Sequence, residues 1–305
     1  MIILSGGTGT PKLISGLKQI GEDFNVIVNT GEDCWISGNL ISPDIDSVLY
    51  TLAGIIDKER WWGIKDDTFV THEELCVMAN NTKDKGEWMR IGDRDRATHI
   101  FRSDLIRENK NKTEATLILA KSFGIKEKVL PMCNEDVNTI VKTGEGEMHF
   151  QKFWVYRKGE PIVKDIYFRN IDKATIPREA DLLLKDDNTV VIGPSNPISS
   201  ILPILLVGDI RERLKDKYVI AISPIIGKKP ISGPAASFMH AKGLDVSSNG
   251  VAEFYKDIID VFVVDNRDKI IDKKRLDDIE LYVTDTLMNN DERSRELARF
   301  VKNLV

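Results

Sequence analysis

The chain has 305 residues, 42% of them hydrophobic and 30% charged, with a formal net charge of -5. That length suits one large α/β core or a core with a sizeable insertion, and the mild acidity argues against a general nucleic-acid binder. Three widely spaced cysteines, Cys34, Cys76 and Cys133, make no disulfide framework, and no segment reaches membrane-spanning length, so a soluble cytoplasmic protein starting directly on a core strand is expected.

Ile2, Ile3 and Leu4 form a short buried strand that SGGTGT must end. Thr10 reads as a helix cap and Pro11 as the first helical residue, with Leu13, Ile14 and Leu17 as the apolar face. Free N–H groups at such a helix start, reached closely through glycine, form a phosphate site. The dinucleotide pattern G-x-G-x-x-G fails because Lys12 holds its third glycine position, and the Walker pattern finds no match. A phosphate loop and a plain tight turn therefore stand level on this stretch alone.

A second strand, Phe24 to Val28, runs into NTGED. ISPDIDSVLYTLAG then starts a helix with Ser42 as cap and Pro43 in the first turn. Asp44 and Asp46 there either complement the helix dipole or face the strand ends, where one could hold a divalent cation or accept a proton. Two residues apart, they point in different directions. Residues 57–128 read as a largely helical, polar insertion over the sheet, with WWGIKDD and NNTKDKGEW as irregular connections, between core segments 1–56 and 129–305. WMRIGDRDRATH concentrates Arg90, Arg94 and Arg96 with Asp93 and Asp95. A solvated, self-paired surface is the favoured reading, and a ligand-facing turn near Trp88 the alternative. His99, four residues after Asp95, reads as its partner.

VNTIVKT and EMHFQKFWVYR read as a peripheral β-hairpin. TVVIGPSNPISSILPILL gives strand, turn and helix, with Asn196 as cap and Pro197 in the first turn; YVIAISPIIG, GPAASFMHAKG, VAEFYKDII, VFVVD and ERSRELARFVKNL continue the alternation. The expected fold is α/β, a Rossmann-like three-layer α/β/α arrangement with a mostly parallel sheet. Ligands of such sheets bind beyond the carboxyl ends of the strands, where SGGTGT, NTGED, GPSNP and SPIIG all fall.

Together, LSGGTGTPKLISGL, VNTGEDCWISGNLISPDIDSVLYTLAG, WWGIKDDTF, WMRIGDRDRATHIFR, IGPSNPISSILPIL, SPIIG and ISGPAASFM resemble the 2-phospho-L-lactate transferase family over essentially the whole chain. The resemblance implies a step of coenzyme F420 biosynthesis. A guanosine-diphosphate-activated lactate, or its phosphoenolpyruvyl analogue, gives its phospholactyl group to the ribityl hydroxyl of the deazaflavin Fo; GMP leaves and Mg²⁺ is required. It places Asp46 and Arg90 against Fo; for that chemistry Asp46 is the expected catalytic residue, either as metal ligand, a role another rim carboxylate could take, or as acceptor of the hydroxyl proton, with Trp88 and Asp93 as further Fo contacts and Trp61, Trp62 and Trp88 as aromatic walls. Nucleotide and phosphate contacts fall to Gly6, Gly7, Thr8, Gly9, Thr10, Lys12, Asn29, Ser195, Asn196, Ser199 and Ser200. Lys228 and Lys229 stand in for a basic residue that relatives carry near Ser232. The implied partners are small molecules in a homodimer, with no nucleic acid or membrane. The rivals are a regulatory sugar-nucleotide-binding protein of the same fold and a nicotinamide-dependent oxidoreductase, the latter weakened by Lys12.

Overall fold

The computed structural model describes residues 1–82, 87–227, 229–230, 233–268 and 278–305. Lys228, Ser232, the Lys229 side chain and part of NNTKDKGEW lie outside the described residues.

Strand β1 (Ile2–Ser5) passes through the glycine turn into α1 (Gly9–Gln19) and returns as β2 (Asn25–Val28). A small hairpin, β3 (Cys34–Ile36) with β4 (Asn39–Ile41), follows where the sequence reads as polar loop. Helices α2 (Pro43–Ala53), α3 (Val70–Thr82), α4 (Asp93–Arg107) and α5 (Lys112–Ser122) precede β5 (Val129–Pro131). Strands β6 (Asn138–Thr143), β7 (Gly146–His149) and β8 (Val163–Arg169) form a separate antiparallel sheet. The chain continues through α6 (Arg178–Asp186), β9 (Thr189–Ile192), α7 (Leu202–Leu205), α8 (Ile210–Leu214) and β10 (Tyr218–Ile222). A two-residue ladder of β11 (Ile225–Ile226) with β12 (Lys229–Pro230) comes next, then α9 (Ala235–Ala241), α10 (Ser248–Tyr255), β13 (Val261–Asp265), β14 (Glu280–Thr284) and α11 (Asp291–Lys302).

Among the described residues, seven strands form one sheet in the order β14-β13-β10-β9-β1-β2-β5, and every pairing is parallel. Alternation along each strand sends side chains to two separate cores. Ile2, Leu4, Ile27, Val190 and Ile192 join Phe238 and Tyr255 on one face, while Ile3, Val26, Val28 and Val191 join Leu13, Leu17, Val48 and Leu297 on the other. Both faces are thus covered, which is what unbroken apolar strands of this kind require. The chain reverses its direction of travel across the sheet between β1 and β9, so the crevice for a ligand opens beyond those two strands.

Two local expectations are corrected. Helix α1 begins at Gly9 with Thr8 at the cap position and no side-chain cap, because the Thr10 hydroxyl is instead bonded to Ser195 Oγ at 2.7 Å. EMHFQKFWVYR does not stay extended: β7 ends at His149, and Lys152–Tyr156 wind into one wide π-helical turn.

Candidate active site

At the β1–β9 crevice the two loops meet backbone against backbone. Gly7 adopts a left-handed φ of +59°, and a Cβ on Gly9 would lie 2.0 Å from the Pro194 carbonyl oxygen, so neither position accepts another residue without displacement. Ser195 Oγ accepts the Thr10 N–H at 3.2 Å and also bonds the Gly6 carbonyl. Asn196 caps the following turn, its Oδ1 accepting from Ile198 N at 3.0 Å and Ser199 N at 3.3 Å. That fixes the amide orientation and leaves Nδ2 buried with no protein partner among the described residues.

A cavity of about 490 Å³ opens over these loops. Gly7, Thr8, Gly9, Ser195, Asn196, Ser199 and Ser200 border it on the loop side. Its remaining wall mixes apolar and aromatic side chains, with Trp62, Met89, Ile91, Phe150 and Trp154, and polar ones, with Arg60, His99, Gln151 and the carboxylates of Glu32, Asp44, Asp46 and Asp95. The π-helical turn brings Phe150, Gln151, Trp154 and Val155 to the cavity, a contribution hidden in a stretch that reads as strand.

Asp44 and Asp46 diverge as their spacing demands. Asp44 accepts from Gly7 N at 2.7 Å and Asn29 Nδ2 at 2.8 Å. Burial pushes it up to about 7 against those two bonds, and it lies beside Glu32, whose burial and proximity to Asp44 raise it well above the usual carboxylate range. Neither Glu32 nor Asp44 forms an ion pair among the described residues. Asp46 instead meets a guanidinium: Arg102 Nη1 donates to Oδ2 at 3.1 Å and Nη2 to Oδ1. His99 Nε2 is 3.2 Å from Asp46 Oδ2 and 3.1 Å from Asp95 Oδ1, and Asp95 accepts from the Tyr50 hydroxyl at 2.7 Å. Burial opposes the Asp46 charge, but Arg102 and His99 outweigh it and hold the carboxyl at about 2.

The donor sets bear differently on a Mg²⁺ ion. Asp46, Asp95 and His99 place ligand atoms within 4.8 Å of one another. However, both Asp46 oxygens already face Arg102 and the shared nitrogen is already turned to both carboxylates, so a hard, oxygen-seeking cation finds a poor fit there. Glu32 and Asp44, two buried carboxylates beside the glycine loop, fit it better: their oxygens meet only neutral donors, Gly7 N and Asn29 Nδ2 on Asp44 and Gln151 Nε2 at 3.4 Å on Glu32, and no cation faces them among the described residues.

The other expected site residues are spread more widely. Asn29 is fully engaged, donating to Asp44 and to the Ser199 carbonyl at 3.3 Å and accepting from Gly31 N at 2.9 Å. Lys12 does not border the cavity; its ammonium sits 5.4 Å over the Trp61 ring. Arg90 is exposed and stacked 4.0 Å over Phe69, while its neighbours Met89 and Ile91 face the cavity. Trp88 packs edge-on to Tyr156 at 6.4 Å. Asp93 caps α3, accepting from Val70 N at 3.0 Å and Thr71 N at 2.9 Å, and Asp67 returns the arrangement by accepting from Arg94 N and Asp95 N at 2.9 Å each. Hydrogen bonds from Thr68 and Thr71 hold Asp93 well below the usual carboxylate range.

The family profile described as 2-phospho-L-lactate transferase CofD matches residues 1–303. The chain belongs to that family. It is 51% identical to the 2-phospho-L-lactate transferase of Methanosarcina acetivorans, over 100% of this chain and 98% of that relative. It is 45% identical to the 2-phospho-L-lactate transferase of Methanocaldococcus jannaschii, over 99% and 96%. Among solved structures, a UPF0052-family protein from Bacillus halodurans superposes with a TM-score of 0.66 over 99% of this chain and 97% of the other, at 17% identity, which shows a common fold. Within this CofD-family chain, Glu32 and Arg102 are charged site residues that the sequence does not single out, as it does not single out Met89, Ile91, Phe150, Gln151 and Trp154. Asp95, His99 and Arg102 do share an i, i+4, i+7 stripe on α4, and that stripe is the buried face.

Proposed function

We propose that the protein transfers the 2-phospho-L-lactyl group of lactyl-2-diphospho-5'-guanosine, or the phosphoenolpyruvyl group of its analogue, to the ribityl hydroxyl of Fo, releasing GMP and forming F420-0 from the first donor and its dehydro form from the second. The observation that carries this reading is a single cavity bordered both by the glycine loop with Asn196 and by Asp46 with Trp62 and Trp154. One side suits a diphosphate, the other a flat ring bearing a hydroxylated chain.

In this reading the N–H groups of the glycine loop, Ser199, Ser200 and the unpartnered Asn196 amide bind the donor phosphates. Glu32 and Asp44 would hold Mg²⁺, which would supply positive charge against the diphosphate. Asp46 orients the acceptor. Its carboxylate, kept ionised by Arg102, is too weak a base to remove a proton but accepts the hydrogen bond of the attacking hydroxyl. The hydroxyl oxygen attacks the lactyl-side phosphorus and the phosphorus–oxygen bond to GMP breaks, its electron pair leaving with GMP; the loose transition state requires little earlier deprotonation, and the hydroxyl proton passes late to the departing phosphate oxygen or to solvent. Arg90, Trp88, Asp93 and Lys12 support this cavity from outside it.

The test is incubation of the protein with Fo, the lactyl-diphosphoguanosine donor and Mg²⁺, following GMP and F420-0. Glu32→Gln and Asp44→Asn should lose turnover and Mg²⁺ response together. Tight nucleotide retention with no GMP formed would replace the transferase with a nucleotide-binding protein of the same fold.

A further inference from the structure

Between α2 and α3, residues 57–63 form a tight turn that closes on itself. Asp57 N–H donates to the Gly63 carbonyl at 3.1 Å and Trp61 N–H to the Asp57 carbonyl at 2.7 Å, while Asp57 Oδ1 accepts from Glu59 N at 2.9 Å and Arg60 N at 3.3 Å. Ile56 and Ile64 clamp its ends with an antiparallel bridge. Trp61 is held at a left-handed φ of +60°, a conformation that a bulky residue adopts only where its surroundings impose it. The turn sets Arg60, Trp62 and Gly63 on the cavity border. It also touches both halves of the site: Lys12 of the helix after the glycine loop lies 5.4 Å over Trp61, and a Cβ on Gly63 would lie 3.8 Å from Asp95 Oδ2.

Charge on the cavity border is lopsided. Glu32, Asp44, Asp46 and Asp95 stand there, and among the described residues Arg60 is the lone arginine or lysine. Lys12 does not border the cavity, and Arg102 is engaged with Asp46. The Arg60 side chain is 48% exposed, its guanidinium lies 6.0 Å over the Trp62 ring, and its ion pair with Asp57 reaches only Nε, at 3.7 Å. Its two terminal nitrogens have no protein acceptor among the described residues. The donor proposed above carries two phosphates, which the glycine loop, Asn196 and the cation proposed on Glu32 and Asp44 serve, and one further anion, the carboxylate of its lactyl group. That carboxylate lies across the lactyl-side phosphorus from GMP, where donor and acceptor meet.

We propose that Arg60 binds the donor carboxylate through its two terminal nitrogens. A planar guanidinium fork matches a carboxylate in two parallel hydrogen bonds, and a rigid turn that reaches both the glycine-loop helix and Asp95 holds the fork at the junction of the two substrates. Lactyl and phosphoenolpyruvyl groups both carry the carboxylate on the carbon bonded to the ester oxygen, so this contact accepts either and rejects an uncharged ester. The inference rests on the donor assignment of the preceding subsection and adds a carboxylate subsite to it.

Calorimetry with Mg²⁺ and without Fo, so that nothing turns over, compares lactyl-2-diphospho-5'-guanosine with its analogue bearing a carboxamide in place of the carboxylate. Wild-type protein should bind the carboxylate form about tenfold or more tightly than the amide. In Arg60→Gln the two should bind within about threefold of each other, with amide affinity and unfolding temperature close to wild type, because the side chain removed is half exposed and weakly paired. Arg60→Lys, which keeps the charge and loses the fork, should retain part of the preference. Equal affinity of the wild type for the two ligands, or a preference that Arg60→Gln carries undiminished, overturns the Arg60 contact. Equal weakening of both ligands by Arg60→Gln overturns it too, making Arg60 a phosphate contact or a prop of the turn. Wild-type protein that binds neither ligand nor GDP overturns the donor assignment instead.

Discussion

Asp46→Asn removes a carboxylate proposed to orient the acceptor, and the surroundings of Asp46 predict that it destabilises the fold as well. Holding the carboxyl at about 2 instead of the ordinary 3.8 is worth about 2 kcal/mol to the folded state. Substitution does more than forgo that sum, since Arg102, 2% exposed, cannot discharge and is left without its counter-charge. Breaking one partner of a buried pair costs about 3–5 kcal/mol, and this larger figure governs here. For a chain of this size it corresponds to a fall of roughly 5–8 °C in the unfolding temperature at pH 7. The pH dependence follows from the same pair. A depressed carboxyl contributes stability that is fully present above about 3.8 and is lost as pH falls through about 2, so the gap between wild type and variant should narrow across that window. Thermal and urea unfolding at pH 7 and pH 3 measure it. An Asp46→Asn protein melting within about 2 °C of wild type at pH 7 would refute the pairing argument.

Three further outcomes are expected. His99, raised to about 9, contributes about 3 kcal/mol that is fully present below pH 6.5 and lost as pH rises through 9; urea unfolding of wild type and His99→Gln should converge between pH 7 and pH 10, and a constant difference would exclude the charged ring. Gly9→Ala forces a Cβ against the Pro194 carbonyl, so GDP affinity should fall more than about tenfold by calorimetry, with about 1–3 kcal/mol lost from the fold; wild-type affinity would show that the two loops can separate. Asp93→Ala removes the α3 cap and should lower the unfolding temperature by about 2 °C while kcat/KM for Fo stays within about twofold; a selective loss of Fo affinity would return Asp93 to the acceptor site.

The strands and the loops that follow them were legible because each depends on a few adjacent residues. IILS must be buried, glycine must turn, and Asn196 before Pro197 must cap. The placement of Trp88 and Arg90 was half legible: in an extended stretch Met89 and Ile91 point one way and their neighbours the other, so an apolar wall facing the cavity turns Arg90 outward. The partners of Asp46 were not legible. Arg102 and His99 lie 56 and 53 residues away, and whether a charged stripe on α4 meets water or another helix is settled by helix packing that local pattern does not encode. The involvement of Glu32 was hidden likewise, because NTGED marks a loop without telling which of its acids turns inward.

The hydrogen bond between Thr10 and Ser195 spans 185 residues of sequence. Strand β1 can pair with β2 early during synthesis, but its other edge waits for β9, and the second wall of the crevice waits with it. A ribosome must therefore deliver almost two thirds of the chain before anything can be gripped there, and such distant closure is the slow kind. Any ligand held between these two loops would consequently report completed assembly of the protein, because it binds a folded crevice that the unfinished chain lacks.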